Sequence, residues 1–366
     1  MPSRSRSTAS RVCDRMRRRS GVAGIRRVVR RASSVVLAIV IVVATAGPAF
    51  ADPAAPTNYQ SVVTAVDPPA DGVEFEVVGG DAFLQVTVLP GHEVLIPGYF
   101  NEPYVRIDGD GSVWVNEGSP AYYINRDRYG EVPVPDDVDA EGEPQWTLVA
   151  DGGRYAWHDH RTHWMSADLP PAVSGATVEV VFPWEIPVVI DGRDTAVRGE
   201  LLWVPSQTPV PALLAGIIAL LPLLAWRRGR TAILAGLTVA AAGVAVALTV
   251  VQNNGTPAAV RGFPTLVLIP AVALIAAVLA LIARSRPQVS TRLTLLGGLS
   301  LVAWAVAAVE ALWLPLLPSA IPSQLERAGV AFVLWAGVGV VVLSATTLIV
   351  AARALRPDSK PSPRRP

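Results

Sequence analysis

Cysteine is almost absent from this chain of 366 residues: the only one, Cys13, lies in the first thirty residues. The rest of the chain can therefore build no disulfide, no thiol nucleophile and no thiolate-ligated metal centre, a blue-copper site included. Lysine is nearly missing too: among 31 basic residues only Lys360 is not arginine. There are four histidines and three methionines, and the polar half of the chain has no run with a helical period of apolar residues. A chain so poor in thiols and imidazoles has few places for transition-metal or nucleophilic chemistry, so where those few residues fall matters.

The charge is segregated. Residues 1–31 hold eleven arginines and one acid, Asp14, and are followed by the apolar run SSVVLAIVIVVATAG and by PAFADP. A basic stretch, a short apolar stretch and the Ala49-Phe50-Ala51 site are the parts of a secretory signal peptide, residues 1–51, with cleavage expected after Ala51. A start at Met16 would shorten the long basic part. Arg26-Arg27 and Arg30-Arg31 leave twin-arginine export open beside the general route.

Hydrophobic residues make up 51% of the chain and are concentrated after residue 208. Five apolar runs, Val210–Trp226, Ala232–Val251, Phe263–Ala283, Leu293–Leu314 and Gly329–Ala352, each approach the ~20 residues that cross a bilayer. They predict an all-α bundle of five transmembrane helices over 209–352, with a basic tail at 353–366. Connections RRGR (227–230), RSRPQVSTR (284–292) and the tail carry eleven basic residues, against Arg261 and Arg327 in the other two. That asymmetry predicts a multi-pass cell-membrane protein with a cytoplasmic C-terminus and residues 52–208 extracellular, the side that a signal peptide also demands. Glu310, near the outer end of the fourth run, is read as an interfacial carboxylate beside Trp313 rather than a transport residue. Small residues at Gly236, Ala240, Gly297 and Gly298 would let helices approach closely.

Residues 52–208 alternate short runs rich in Val, Phe and Thr with Gly, Pro and Asp, which predicts an all-β domain, a sandwich of cupredoxin or immunoglobulin type or a small barrel. Hairpin turns are expected at Asp108–Gly111 and Asp191–Asp194, and an exposed acidic loop over 132–145. The stretch DGDGS lacks the later carboxylates of a helix–loop–helix calcium loop and reads as a tight turn. With seven arginines against 26 Asp plus Glu, 7 − 26 = −19, the domain repels nucleic acid and attracts cations.

Three of the four histidines, His158, His160 and His163, fall in RYAWHDHRTHWM (154–165), which ends in Met165, the only methionine beyond residue 16. On a strand through residue 161, Tyr155 and Trp157 would face the core, Asp159 would pair with Arg161, and His158 and His160 would stand side by side, with a turn swinging His163 toward them. His92 could join from elsewhere, and Met165 could add a soft ligand. Imidazole and thioether together suit copper, with zinc as the alternative. The same residues also make ordinary packed β-structure, or an aromatic patch for a sugar or peptide.

The run GGRYAWHDH resembles the strand of multicopper oxidase cupredoxin domains in which His-x-His binds copper. The likeness spans about ten residues, and the other His-x-His pairs and the copper cysteine of that family are missing, so it implies a copper ligand pair at His158 and His160 but no oxidase activity. The plan of signal peptide, acidic β-domain, five helices and basic tail also resembles a group of actinobacterial membrane proteins, a likeness that implies no activity. The expectation is a non-enzymatic, membrane-anchored metal-binding protein. The alternatives are a structural, interaction or organic-ligand module, and then a component of a metal transporter.

Overall fold

The computed structural model describes residues 54–354 apart from 127, 167, 172, 225–229 and 259–260. The expected signal peptide with its Ala51 site, Cys13 and the basic tail from 355 onward lie outside the described residues.

The alternating runs form ten strands, of which β7 was not foreseen: β1 (Tyr59–Asp67), β2 (Val73–Val78), β3 (Phe83–Val88), β4 (Val94–Pro97), β5 (Pro103–Ile107), β6 (Val113–Asn116), β7 (Trp146–Ala150), β8 (Arg154–Trp157), β9 (Glu179–Ile190) and β10 (Arg193–Trp203). They pair antiparallel in two sheets, one in the order β1-β10-β9-β4-β5-β6-β7 and one in the order β2-β3-β8. The period of two is clearest in β9, where Trp184, Ile186, Val188 and Ile190 are buried and Glu185 and Pro187 exposed. One apolar core draws Leu84, Val86 and Trp157 from the small sheet and Ile107, Val115, Ile186 and Val197 from the large one. A short helix, α1 (Pro120–Ile124), escapes the sequence pattern because five residues carry no readable period; Ser119 caps it, its hydroxyl accepting from the Ala121 N–H at 3.1 Å.

Both expected hairpin turns form. Asp191 (φ 50°) and Gly192 (φ 75°) join β9 to β10 with the paired positive φ of a type I′ turn. Between β5 and β6 the Asp110 carboxylate accepts the Ser112 N–H at 2.8 Å, so it closes its own turn.

The apolar runs form helices α2 (Val210–Leu224), α3 (Arg230–Asn254), α4 (Leu268–Ile282), α5 (Pro287–Ala307) and α6 (Ser323–Ala354). Four spans, Thr231–Asn254, Thr265–Ile282, Pro287–Ala307 and Ser323–Ala354, are long and apolar enough to cross a membrane. The expected fifth, α2, is described over 15 residues, which at 1.5 Å per residue rise about 22 Å against a hydrocarbon core of about 30 Å; the rest of its run, from residue 225, lies outside the described residues. Helix α5 starts earlier than its apolar run because Pro287 occupies its first turn and the Thr291 and Thr294 hydroxyls donate to the carbonyls of Pro287 and Ser290. It stops at Ala307, so Glu310 lies outside it, exposed in a 3-10 turn. Helix α6 starts at Ser323 and carries two charged residues that the apolar run left in a loop. Glu326 is buried and accepts from Gln252, and Arg327 is buried and donates to the Leu314 carbonyl at 2.7 Å. Gly297 lets α5 meet Thr238 of α3, and Gly298 lets it meet Val340 of α6, whereas Gly236 faces open space.

The β-region touches the helical region at several backbone points. Thr57 bridges Leu316 in the connection between α5 and α6, the Gln207 N–H donates to the Trp313 carbonyl at 2.7 Å, and the Ala54 N–H reaches Thr256 Oγ1 in the connection between α3 and α4.

Candidate functional site

The histidine-rich segment begins as a strand but does not remain one. β8 pairs with β3 only from Arg154↔Thr87 to Trp157↔Leu84. Tyr155 and Trp157 pack against the core, their rings 5.9 Å apart. Beyond Trp157 a turn replaces the strand: the Thr162 N–H and hydroxyl both donate to the Asp159 carbonyl, at 3.0 and 2.8 Å. The expected strand through residue 161 is therefore overturned by a local side-chain-to-backbone competition.

Asp159 organises this turn. Its carboxylate is fully buried and accepts from Trp157 Nε1 at 2.9 Å and from Arg161 Nη2 and Nε at 2.7 and 2.8 Å. Burial alone would raise its pKa, but the Arg161 guanidinium and these hydrogen bonds hold it below the ordinary aspartate value. The pairing of Asp159 with Arg161 is as the sequence led us to expect.

With the strand gone, the imidazoles do not line one strand face. His158 is buried. It lies flat on Phe83, ring centroids 4.3 Å apart, with Nδ1 at 2.6 Å from the Ala82 carbonyl. A carbonyl can only accept, so Nδ1 carries a proton. The turn brings His160 and His163 together, with ring centroids 5.1 Å apart and planes at 80°. His160 is half-buried near Tyr99, whose hydroxyl accepts the His160 N–H at 2.9 Å. His163 is 1% exposed; its Nδ1 is 3.4 Å from the Trp164 carbonyl, and its Nε2 is buried with no hydrogen-bond partner among the described residues.

His92 does not join them. His92 sits against Gly72 and pairs through Nδ1 with Asp191 of the β9–β10 turn at 2.9 Å. Gly72 lies beside Leu89, past the end of β3 opposite to the Ala82 that His158 contacts. The six residues of β3 separate those ends by about 20 Å. Met165 is 39% exposed beyond the turn.

Two groups that the sequence reading passed over complete the surroundings. Asp81, fully buried, forms a two-pronged pair with Arg128 at 2.5 and 3.0 Å. Asp81 follows Gly79-Gly80 at a hairpin and reads as a turn residue; only its position directly ahead of the apolar run AFLQV hints that it is carried inside. Burial drives the His163 pKa down to about 3, with the Arg128 guanidinium and the His160 ring adding to the effect. His163 is therefore a neutral imidazole at any physiological pH, the form that ligates metals.

The arrangement meets some of the demands of a metal centre. Two imidazoles on one tetrahedral ion, with bonds of about 2.0–2.1 Å, hold their ring centroids roughly 5.2 Å apart. The same spacing also suits edge-to-face packing. The Nδ1 contacts of His158 and His163 to carbonyls are of the kind that orients metal-bound imidazoles through Nε2. Among the described residues no set of three or more His, Cys, Asp or Glu side chains converges closely enough to hold an ion as the side chains stand. The residues thus offer a pair, His160 and His163, with His158 alongside.

Comparison with protein-family models, curated proteins and solved structures gave no match to this chain.

Proposed function

We propose that this is a membrane-anchored binding protein whose β-region, a sandwich on the outer side of the cell membrane, captures a transition-metal ion, copper by preference, on His160 and His163, with His158 alongside. The observation that carries the reading is the buried, unpartnered Nε2 of His163. A buried lone pair without a donor costs about 1–3 kcal/mol, and an ion shared with His160 would remove that cost. The acidity of the domain, 7 − 26 = −19 over 52–208, would concentrate cations around it. Binding without turnover fits a site whose acids, Asp159 and Asp81, are each committed to an arginine.

The orientation is supported by two independent features. Both connections that touch the β-region lie on the side poor in basic residues, with Arg261 in one and Arg327 in the first turns of α6 just after the other, while eleven basic residues fall in RRGR, RSRPQVSTR and the tail. In this reading α2 acts as a fifth, short crossing, leading inward from Gln207.

A second reading rests on a different observation. His158 stacked on Phe83 and bonded to Ala82 is a satisfied packing histidine, and a purely structural or interaction module would use it so. The deciding experiment is titration of the chelator-treated full-length protein in detergent with Cu(II) and then Zn(II). The proposal expects one equivalent bound, lost in His160→Ala and His163→Ala and retained in His92→Ala. Uptake no greater than in the His160→Ala/His163→Ala double variant leaves the structural reading in its place.

A further inference from the structure

On the outer face of the small sheet, between that sheet and the connection from α3 to α4, lies a cleft of about 600 Å³. A volume of that size suits a small polar ligand or a headgroup. Its charged and hydrogen-bonding walls come from Glu76, Gln85, Asp151 and Arg154 on the sheet side and from Asn254 and Arg261 on the helix side. The charges are balanced, two guanidiniums against two carboxylates, although the domain as a whole is strongly acidic.

The two arginines are differently prepared. Arg261 is fixed: Nε donates to the Thr256 carbonyl at 2.9 Å, Nη2 to the Asn254 carbonyl at 3.0 Å and Nη1 to the Asn254 side chain at 3.3 Å. Three of its five N–H groups are spent on the loop, and two remain to reach a ligand. Arg154 is 62% exposed and makes one long contact, 3.4 Å, to Glu76. On the same wall, Glu76 Oε1 takes Gln85 and Arg154 as donors, which leaves Oε2 as an acceptor. A simple anion entering here would meet Glu76 and Asp151, and a simple cation would meet both arginines. A molecule carrying both signs would find partners for both. Asn254 also ends a helix long and apolar enough to cross a membrane, and in the membrane placement proposed above the cleft would sit at the level of lipid headgroups.

We infer that this cleft binds an amino-phosphate zwitterion of the phosphoethanolamine type, the phosphate between Arg154 and Arg261 and the ammonium on Glu76 and Asp151. That chemistry is offered by a phosphatidylethanolamine headgroup in the bilayer and by free phosphoethanolamine. The site is separate from the histidine cluster and stands or falls without it.

The test uses the full chain in nanodiscs made of phosphatidylcholine alone or with phosphatidylethanolamine, read by native mass spectrometry of retained lipid. Detergent-solubilised protein is titrated in parallel with soluble phosphoethanolamine. Retention of phosphatidylethanolamine without uptake of the soluble compound assigns the lipid, and the reverse assigns the free molecule; both support the site. Arg154→Gln and Glu76→Gln, half-exposed positions whose loss leaves the core intact, should each weaken binding by roughly tenfold. Neither compound held above the level of these variants overturns the inference. So does an unsubstituted protein that binds inorganic phosphate as tightly as phosphoethanolamine, since the ammonium contact would then be absent.

Discussion

Metal-free, the protein should lose stability between pH 7.5 and pH 5 through one side chain, His163. Its pKa is pushed from 6.5 to about 3 by burial and by Arg128. At pH 7.5 both the folded and unfolded forms are neutral there, and His163 makes no pH-dependent contribution. As the pH falls below 6.5 the unfolded chain takes up a proton that the folded one refuses, so the unfolded state gains. The loss accumulates until the pH reaches the folded value near 3. At pH 5 it amounts to about 1.5 pH units of differential binding, or about 2 kcal/mol, which for a domain of this size lowers the melting temperature by roughly 4–8 °C. His163→Leu removes the titrating group and the unpartnered Nε2 together. It should therefore be close to neutral at pH 7.5 and should lack this part of the acid sensitivity. The assay is thermal unfolding followed by tryptophan fluorescence in detergent, with chelator present, for both proteins at both pH values. Equal losses in the two would mean that His163 is protonated inside the fold, and the argument from its burial would fail.

Two other outcomes test the surroundings. Replacing Arg161 by methionine strands the fully buried Asp159 carboxylate with only Trp157 and a backbone N–H, and should cost about 3–5 kcal/mol in thermal unfolding, with Arg161→Lys recovering part of it. Single cysteines at Gly192 and Arg286, in a Cys13-free background, should respond oppositely to a membrane-impermeant maleimide on intact cells: labelling at 192 and none at 286 supports the outer placement of the β-region, and the reverse pattern refutes it.

Much of the fold was legible because period two and turn chemistry are local. YQSVVTAVD coincides with β1 and the Asp191-Gly192 turn needed only its own two residues. The helices were legible as apolar runs, but their ends were not. Pro287 and the self-satisfied Thr291 and Thr294 extend α5 backward through a polar stretch, and buried Glu326 and Arg327 extend α6 into what reads as a loop. The site was read in part. Proximity of His160 and His163 was expected from a turn after residue 161, whereas the turn that makes it begins at Asp159. The position of His158 did not, since a strand argument assigns its face and the Asp159–Thr162 turn removes the strand. The distance of His92 depends on the β2–β3 hairpin placing Gly72 and Ala82 at opposite ends, which is a long-range fact.

The bonds from Thr57 to Leu316, Gln207 to Trp313 and Ala54 to Thr256 fasten the β-region to separate inter-helix connections as well as to its own chain continuation. Proteolytic nicking within residues 205–208 should therefore not release it. Sliding of α3 against α6 would have to drag or tear these fastenings, so whatever occupies the β-region can brace the helices mechanically, and a tilt among the helices can be felt in the β-region.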